Sequence, residues 1–203
     1  MRARGAERHW APGQQELFGP VLPRGLEYRD DFVSADEEDA LLASITQLPL
    51  AEARYRGYTA RRRILAFGTR YDFDDNRLAP ADPLPAFLRP LIERAASWAG
   101  VAPEALAAAL LAEYRPGTPL GWHRDVPDYE IVVGISLGAP ALMRLRPYPP
   151  GPPRESEMIT LDLAPRCAYI LRGVARWNWQ HSIAPVRALR HSITLRTLRD
   201  VMR

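Results

Sequence analysis

His123 and Asp125 are separated by one residue, and on an extended backbone side chains alternate between faces, so the two point the same way. An imidazole and a carboxylate on one strand face are part of a metal site. With a second histidine they make the set that holds non-haem Fe(II) on one side and leaves positions open for a cosubstrate and oxygen. His181 is the candidate third ligand. The triplet alone carries little weight, because four His and twelve Asp in 203 residues produce roughly 0.2 such spacings by chance.

Two other stretches have chemistry in their spacing. Arg190, Ser192, Thr194 and Arg196 occupy alternate positions and line one strand face, while His191, Ile193 and Leu195 line the other. Two arginines and two hydroxyls converging on one face suit a dicarboxylate, each carboxylate accepting charge-assisted hydrogen bonds from a guanidinium. A half-exposed strand with four polar residues outward gives the same pattern. From Tyr55 to Phe73, aromatic and basic residues interleave around Tyr58 and Arg61-Arg62-Arg63. Such a surface can stack bases and neutralise phosphates, or it can be a sheet edge blunted by charge.

The elements that must position these groups are legible in part. Residues 1 to about 25 lack periodicity and read as an irregular arm, with Leu17-Phe18 as its anchor. Ser34 with Glu37 forms a capping box, acidic residues fill the first turn, and Leu41, Leu42, Ile45 and Leu48 make an apolar face, so a helix ends before Pro49. Short strands are predicted over Tyr55 to Phe73, then a polar connection over Asn76 to Pro85. Phe87 to Trp98 has helical spacing, with Gly100 as its stop and Pro90 delaying or kinking its start. Glu104 to Glu113 is alanine-rich like a helix, yet runs into the Tyr114 stretch, so a turn at Pro103 to Leu106 and a strand by about Leu110 are expected. Ile131–Leu137, Ala141–Leu145, Met158–Leu163 and Ala168–Leu171 read as strands between Gly- and Pro-bearing turns. Strands at this spacing after a few helices indicate a sandwich or barrel flanked by helices.

The bulk properties bound the rest. A chain of 203 residues, 47% hydrophobic, suits one domain. The 27 basic residues are all arginine, which fits nucleic acid or an anionic small molecule, though a GC-rich genome would write Arg for Lys as well. The single Cys167 excludes an internal disulfide. With no long apolar run and no signal-peptide pattern, the expectation is a soluble, cytoplasmic protein without membrane contact.

Taken together, Tyr114-x8-His123-x-Asp125, His181 and Arg190-x-Ser192-x-Thr194-x-Arg196 resemble the AlkB-like family of Fe(II)- and 2-oxoglutarate-dependent dioxygenases, in order across roughly Tyr114 to Arg199. The resemblance implies an α+β fold with a double-stranded β-helix (jelly roll) core and supporting N-terminal helices. One domain would span 26–203 after the arm at 1–25, with 55–73 similar to the family's substrate lid. His123, Asp125 and His181 would then be the ligands of Fe(II), with 2-oxoglutarate as cosubstrate and molecular oxygen as oxidant. Tyr114, Arg190, Ser192, Thr194 and Arg196 would hold the cosubstrate, Arg190 at its distal carboxylate and Arg196 near its chelating end. Tyr55, Tyr58, Arg61, Arg62, Arg63, Trp122 and Asp128 would face substrate. The implied activity is oxidative demethylation of an alkylated base in DNA or RNA. Alternatives are the same chemistry on a methylated protein side chain or small molecule, and a nucleic-acid-binding jelly roll without catalysis. Ala112 and Ser192 depart from the family, many of whose members carry Asn there. Pro127 stands where repair members often have a base-reading carboxylate, and only Asp128, one residue on, is near.

Overall fold

The computed structural model describes residues 22–55, 58–150 and 158–199, so Leu17 and Phe18, like the side chains of Tyr55 and Tyr58, lie outside the described residues. Two antiparallel sheets form the body. The larger runs, in spatial order, β1 (Leu26–Arg29), β11 (Ala168–Leu171), β8 (Tyr129–Gly138), β13 (Arg190–Leu198), β6 (Ala108–Tyr114), β3 (Tyr58–Phe67) and β2 (Ala51–Tyr55). The smaller runs β10 (Ile159–Leu163), β9 (Ala141–Pro147), β12 (Trp179–Ile183) and β7 (Leu120–His123). A separate hairpin pairs β4 (Thr69–Asp72) with β5 (Arg77–Pro80). The architecture is a double-stranded β-helix with helices packed on the outside of the larger sheet.

Strand alternation divides the apolar residues into two cores. On one face of the larger sheet, Ala109, Leu111, Val133, Ile135, Leu137, Ile193 and Leu195 pack against α1 (Ala35–Thr46) and α2 (Arg89–Ala99). On the other, Ala112, Tyr114, Val132 and Tyr169 face Met143, Leu145, Leu163 and Ile183 of the smaller sheet. α1 begins as its sequence specifies. The Ser34 hydroxyl accepts from the Glu37 N–H at 3.2 Å and the Glu37 carboxylate accepts from the Ser34 N–H at 2.8 Å. Pro90 lies in the first turn of α2, after a short 3-10 turn at Ala86–Leu88, and Gly100 closes the helix at φ 69°.

The alanine-rich run resolves in favour of the sheet. A 3-10 turn covers Pro103–Ala105, and β6 then lies between β3 and β13 with burial on both faces. Helix propensity is worth tenths of a kcal/mol per residue, and a central strand position with two hydrogen-bonded neighbours outweighs it. Several elements, β2 and β12 among them, were not anticipated. β1 pairs with β11, the five-residue helix α3 (Gly173–Trp177) precedes β12, and β5 occupies part of the span expected to be connection. In the turn before β5 the Asp72 carboxylate accepts from the N–H groups of Asp74 and Asp75, and Asn76 takes φ 51°. Residues 55–73 are only partly a cover: Arg63 to Phe67 pair with Glu113 to Ala109 as an integral strand of the larger sheet.

Candidate active site

β7 and β12 are neighbours, with His123 directly opposite His181 and a β-bulge between that pair and Leu120–Ile183. The bulge lets Leu120 and His123 both face inward although three positions apart. Asp125 follows the end of β7, and one ligand atom from each of His123, Asp125 and His181 lies within 4.8 Å of the others. The imidazole rings are 4.2 Å apart, and His181 Nε2 stands 3.7 Å from Asp125 Oδ2. His123 Nδ1 is 2.9 Å from the Gly121 carbonyl, an arrangement that places its proton on Nδ1 and leaves Nε2 as the donor to a metal.

The charge states suit a divalent cation. Burial, with His123 beside it, pushes His181 down to about 3, and burial also lowers His123. Both imidazoles are therefore neutral donors at physiological pH. Burial acts in the opposite direction on Asp125, but Arg196, the two histidines and Arg176 outweigh it and hold the carboxyl well below its usual range. Arg196 donates to Asp125 Oδ1 at 3.0 Å. Arg176 on α3, 2% exposed, donates to the carbonyls of Asp125, Val126 and Tyr129 and so fixes the backbone leaving the ligand. Its guanidinium is what the unanticipated helix supplies.

The triad opens on a cavity of about 810 Å³ between the sheets. Arg190, Ser192, Thr194 and Arg196 line it from β13, with Ala112 and Tyr114 from β6, as the alternation of the last strand requires. Arg190 is 2% exposed, gives one hydrogen bond to Ser136 Oγ at 3.0 Å and lies 5.0 Å from the Tyr114 ring centre. It has no carboxylate partner among the described residues. A buried guanidinium aimed into a cavity without a counter-ion fits an anionic ligand, since an unpaired buried charge is costly. Burial raises the Tyr114 phenol, but Arg62 and Arg190 overcome that and bring it below its ordinary value. The donor set therefore fits both the metal and a dicarboxylate cosubstrate.

The expected substrate-facing residues divide. Arg61, Arg62 and Trp122 line the cavity. Arg63 does not. It falls with Leu65 and Phe67 on the helix-facing side of β3, where it donates to the Leu50 carbonyl and to Glu113. Asp128 also lies off the cavity lining, in the turn before Tyr129, and its carbonyl accepts from the Arg199 N–H. It does not stand in for the carboxylate replaced by Pro127. Arg70, Tyr71 and Phe73, within the 55–73 span read as a substrate cover, also line the cavity, as do Tyr129 and Tyr169 from the larger sheet, which the sequence did not single out. Ser136, a lone hydroxyl inside an apolar strand, was the available signal for the Arg190 support.

A family model described as the 2OG-Fe(II) oxygenase superfamily matches residues 34–199. The chain belongs to that superfamily of Fe(II)- and 2-oxoglutarate-dependent oxygenases. Within it the chain is similar to AlkB homologues. It is 26% identical over 181 residues to the "tRNA (carboxymethyluridine(34)-5-O)-methyltransferase alkbh8" of Xenopus tropicalis, covering 84% of this chain and 27% of that protein. It is 29% identical over 183 residues to the "Alkylated DNA repair protein ALKBH8 homolog" of Arabidopsis thaliana, covering 78% and 50%. The chain thus spans about a quarter to a half of these relatives. Among solved structures, "The structure of OsALKBH1" superposes with a TM-score of 0.68 at 15% identity, covering 87% of this chain and 98% of that one. A Pseudomonas putida prolyl-4-hydroxylase follows at 0.57 and 17%, covering 86% and 92%.

Proposed function

We propose that this dioxygenase oxidatively demethylates an N-alkylated base in DNA or RNA. The observation that carries this reading is the cavity lining, in which Tyr71, Phe73, Arg61 and Arg70, with the edge of Trp122, join the metal triad. Aromatic faces and guanidinium planes accept a base by stacking, and arginines neutralise the flanking phosphates. The names of the relatives, which speak of tRNA and of alkylated DNA, support the same substrate class.

Fe(II) held by His123, Asp125 and His181 would supply oxygen activation coupled to decarboxylation of 2-oxoglutarate. In net terms, one oxygen atom enters succinate while carbon dioxide leaves, and the other converts N–CH3 to N–CH2OH, which breaks down to N–H and formaldehyde. The chain's own part is positioning. Arg190 meets one carboxylate of the cosubstrate and Tyr114, Ser192 and Thr194 offer hydroxyls beside it. Arg196 and Arg176 keep Asp125 ionised and aimed at the metal.

A methylated protein side chain is the second reading, favoured by the absence of Asp128 from the cavity lining. A panel of methylated oligonucleotides and methylated peptides scored for formaldehyde separates them. Release from oligonucleotides alone supports the proposal, and release from peptides alone overturns it. Any cytoplasmic setting belongs to the proposal as well.

A further inference from the structure

The alternation that turns His123 and Asp125 inward turns their neighbours outward, and these meet a second group of side chains on the far face of the smaller sheet. Trp122 projects there, with Arg146 4.3 Å and Arg144 5.7 Å from its ring centre. Arg124 sits 3.7 Å over the ring of Tyr148. The result is an alternating band, Arg144–Trp122–Arg146 beside Arg124–Tyr148, which adjoins the cavity because Trp122 and Arg124 also contribute to its lining.

Among the described residues no carboxylate pairs with the charge of this band. Arg124 donates to the Trp177 carbonyl and Arg146 to the Gln180 side chain, while the buried Nε of Arg144 has no hydrogen-bond partner. On the outward positions of β7, β9, β10 and β12 the one carboxylate is Asp162, opposite Leu142 rather than an arginine. Surface arginines with a structural role elsewhere in this chain do carry partners, as Arg166 does with Asp31 and Arg172 with Glu27.

We infer that this outer face of the smaller sheet is a second nucleic-acid contact, a track for the phosphates and stacked bases of the single strand flanking the nucleotide in the cavity. Guanidiniums held over aromatic rings can still donate to phosphate, and the aromatic faces can stack a base. The inference rests on the nucleic-acid reading of the cavity, which the track extends away from the metal.

The test is fluorescence anisotropy of the full chain with a labelled single-stranded oligonucleotide over a range of salt. The Arg144→Gln/Arg146→Gln variant should bind about tenfold more weakly, with a log–log salt slope shallower by about 1.4, two phosphates' worth for a single strand. The Arg144→Lys/Arg146→Lys variant should recover most of the slope, since charge is retained. Unchanged affinity and slope in the Gln variant overturn the track, as does a polyglutamate peptide that competes as well as an unlabelled oligonucleotide. A methylated mononucleoside separates the two proposals. If it and every methylated oligonucleotide fail as substrates, the cavity reading falls, while the anisotropy still reads the track.

Discussion

Arg196 Nη2 lies 3.0 Å from Asp125 Oδ1, joining the last arginine of the Arg-x-Ser-x-Thr-x-Arg strand to the carboxylate of the metal triad. That strand therefore reaches both the candidate triad and the cavity. Arg196 fixes which Asp125 oxygen remains for the metal, and partners of this kind are worth 10–100-fold in metal affinity. Arg196→Gln should weaken Fe(II) binding about tenfold in an anaerobic titration. The visible band of the Fe(II)–2-oxoglutarate chelate should still form at saturating metal. Unaltered affinity would mean that the contact does not orient the ligand.

Removing a ligand should do more. His123→Ala or Asp125→Ala should abolish Fe(II)-dependent decarboxylation of 2-oxoglutarate, measured as succinate. Wild-type turnover in both variants would be incompatible with the triad.

Arg190 separates binding from folding. Its guanidinium is buried with one neutral partner, Ser136, so an apolar side chain of similar length should fold at least as well. Arg190→Met should keep or raise Tm while raising the KM for 2-oxoglutarate on the order of 100-fold, the usual cost of losing one partner of a buried charge pair. A steep loss of Tm with unchanged KM would assign Arg190 to the fold alone.

Much of this site could be read from residue spacing, because strand parity survives folding. Arg190 to Arg196 and the pair His123, Asp125 lie where alternation puts them. Parity applied to β3 would also have separated Arg62, with Ile64 and Ala66 on the cavity side, from Arg63, with Leu65 and Phe67 on the helix side. The capping box at Ser34 needed only local information. What could not be read depends on distant partners. The backbone contacts of Arg176 arise because α3 lies against the loop after Asp125, 50 residues back in sequence, and β1 exists because β11 offers an edge. The hairpin residues Tyr71 and Phe73 become cavity lining only once β4 is folded against the sheet.

The capping box makes a pH-dependent prediction. The Arg94 guanidinium and the Ser34 N–H hold Glu37 down to about 2, from 4.5. A carboxyl lowered on folding contributes stability that is present above the unfolded pKa and lost as pH falls through the folded one. Both side chains are 40% exposed, so screening limits the pair to about 1 kcal/mol. Arg94→Ala should be destabilised by about that much at pH 7 in urea unfolding. The gap should narrow between pH 4.5 and 2 but not vanish, because Arg94 also donates to the Phe32 carbonyl. A gap independent of pH would place the whole effect in that second bond.

Gly134 ties the inner core to the cavity. It lies opposite Tyr169 across β8 and β11, and a Cβ at position 134 would stand 2.2 Å from the tyrosine ring. Tyr169 lines the cavity, and its ring lies across the glycine. Gly134→Ala must push the ring away or bend the strand, at a cost of about 1–3 kcal/mol for overpacking. Tyr169→Ala alone loses packing. The double variant should be much more stable than the two single losses predict, because the added methyl then enters space that the ring has left. A double-mutant cycle by urea unfolding reads this coupling directly. Additive losses would show that the glycine answers to backbone geometry and not to the ring.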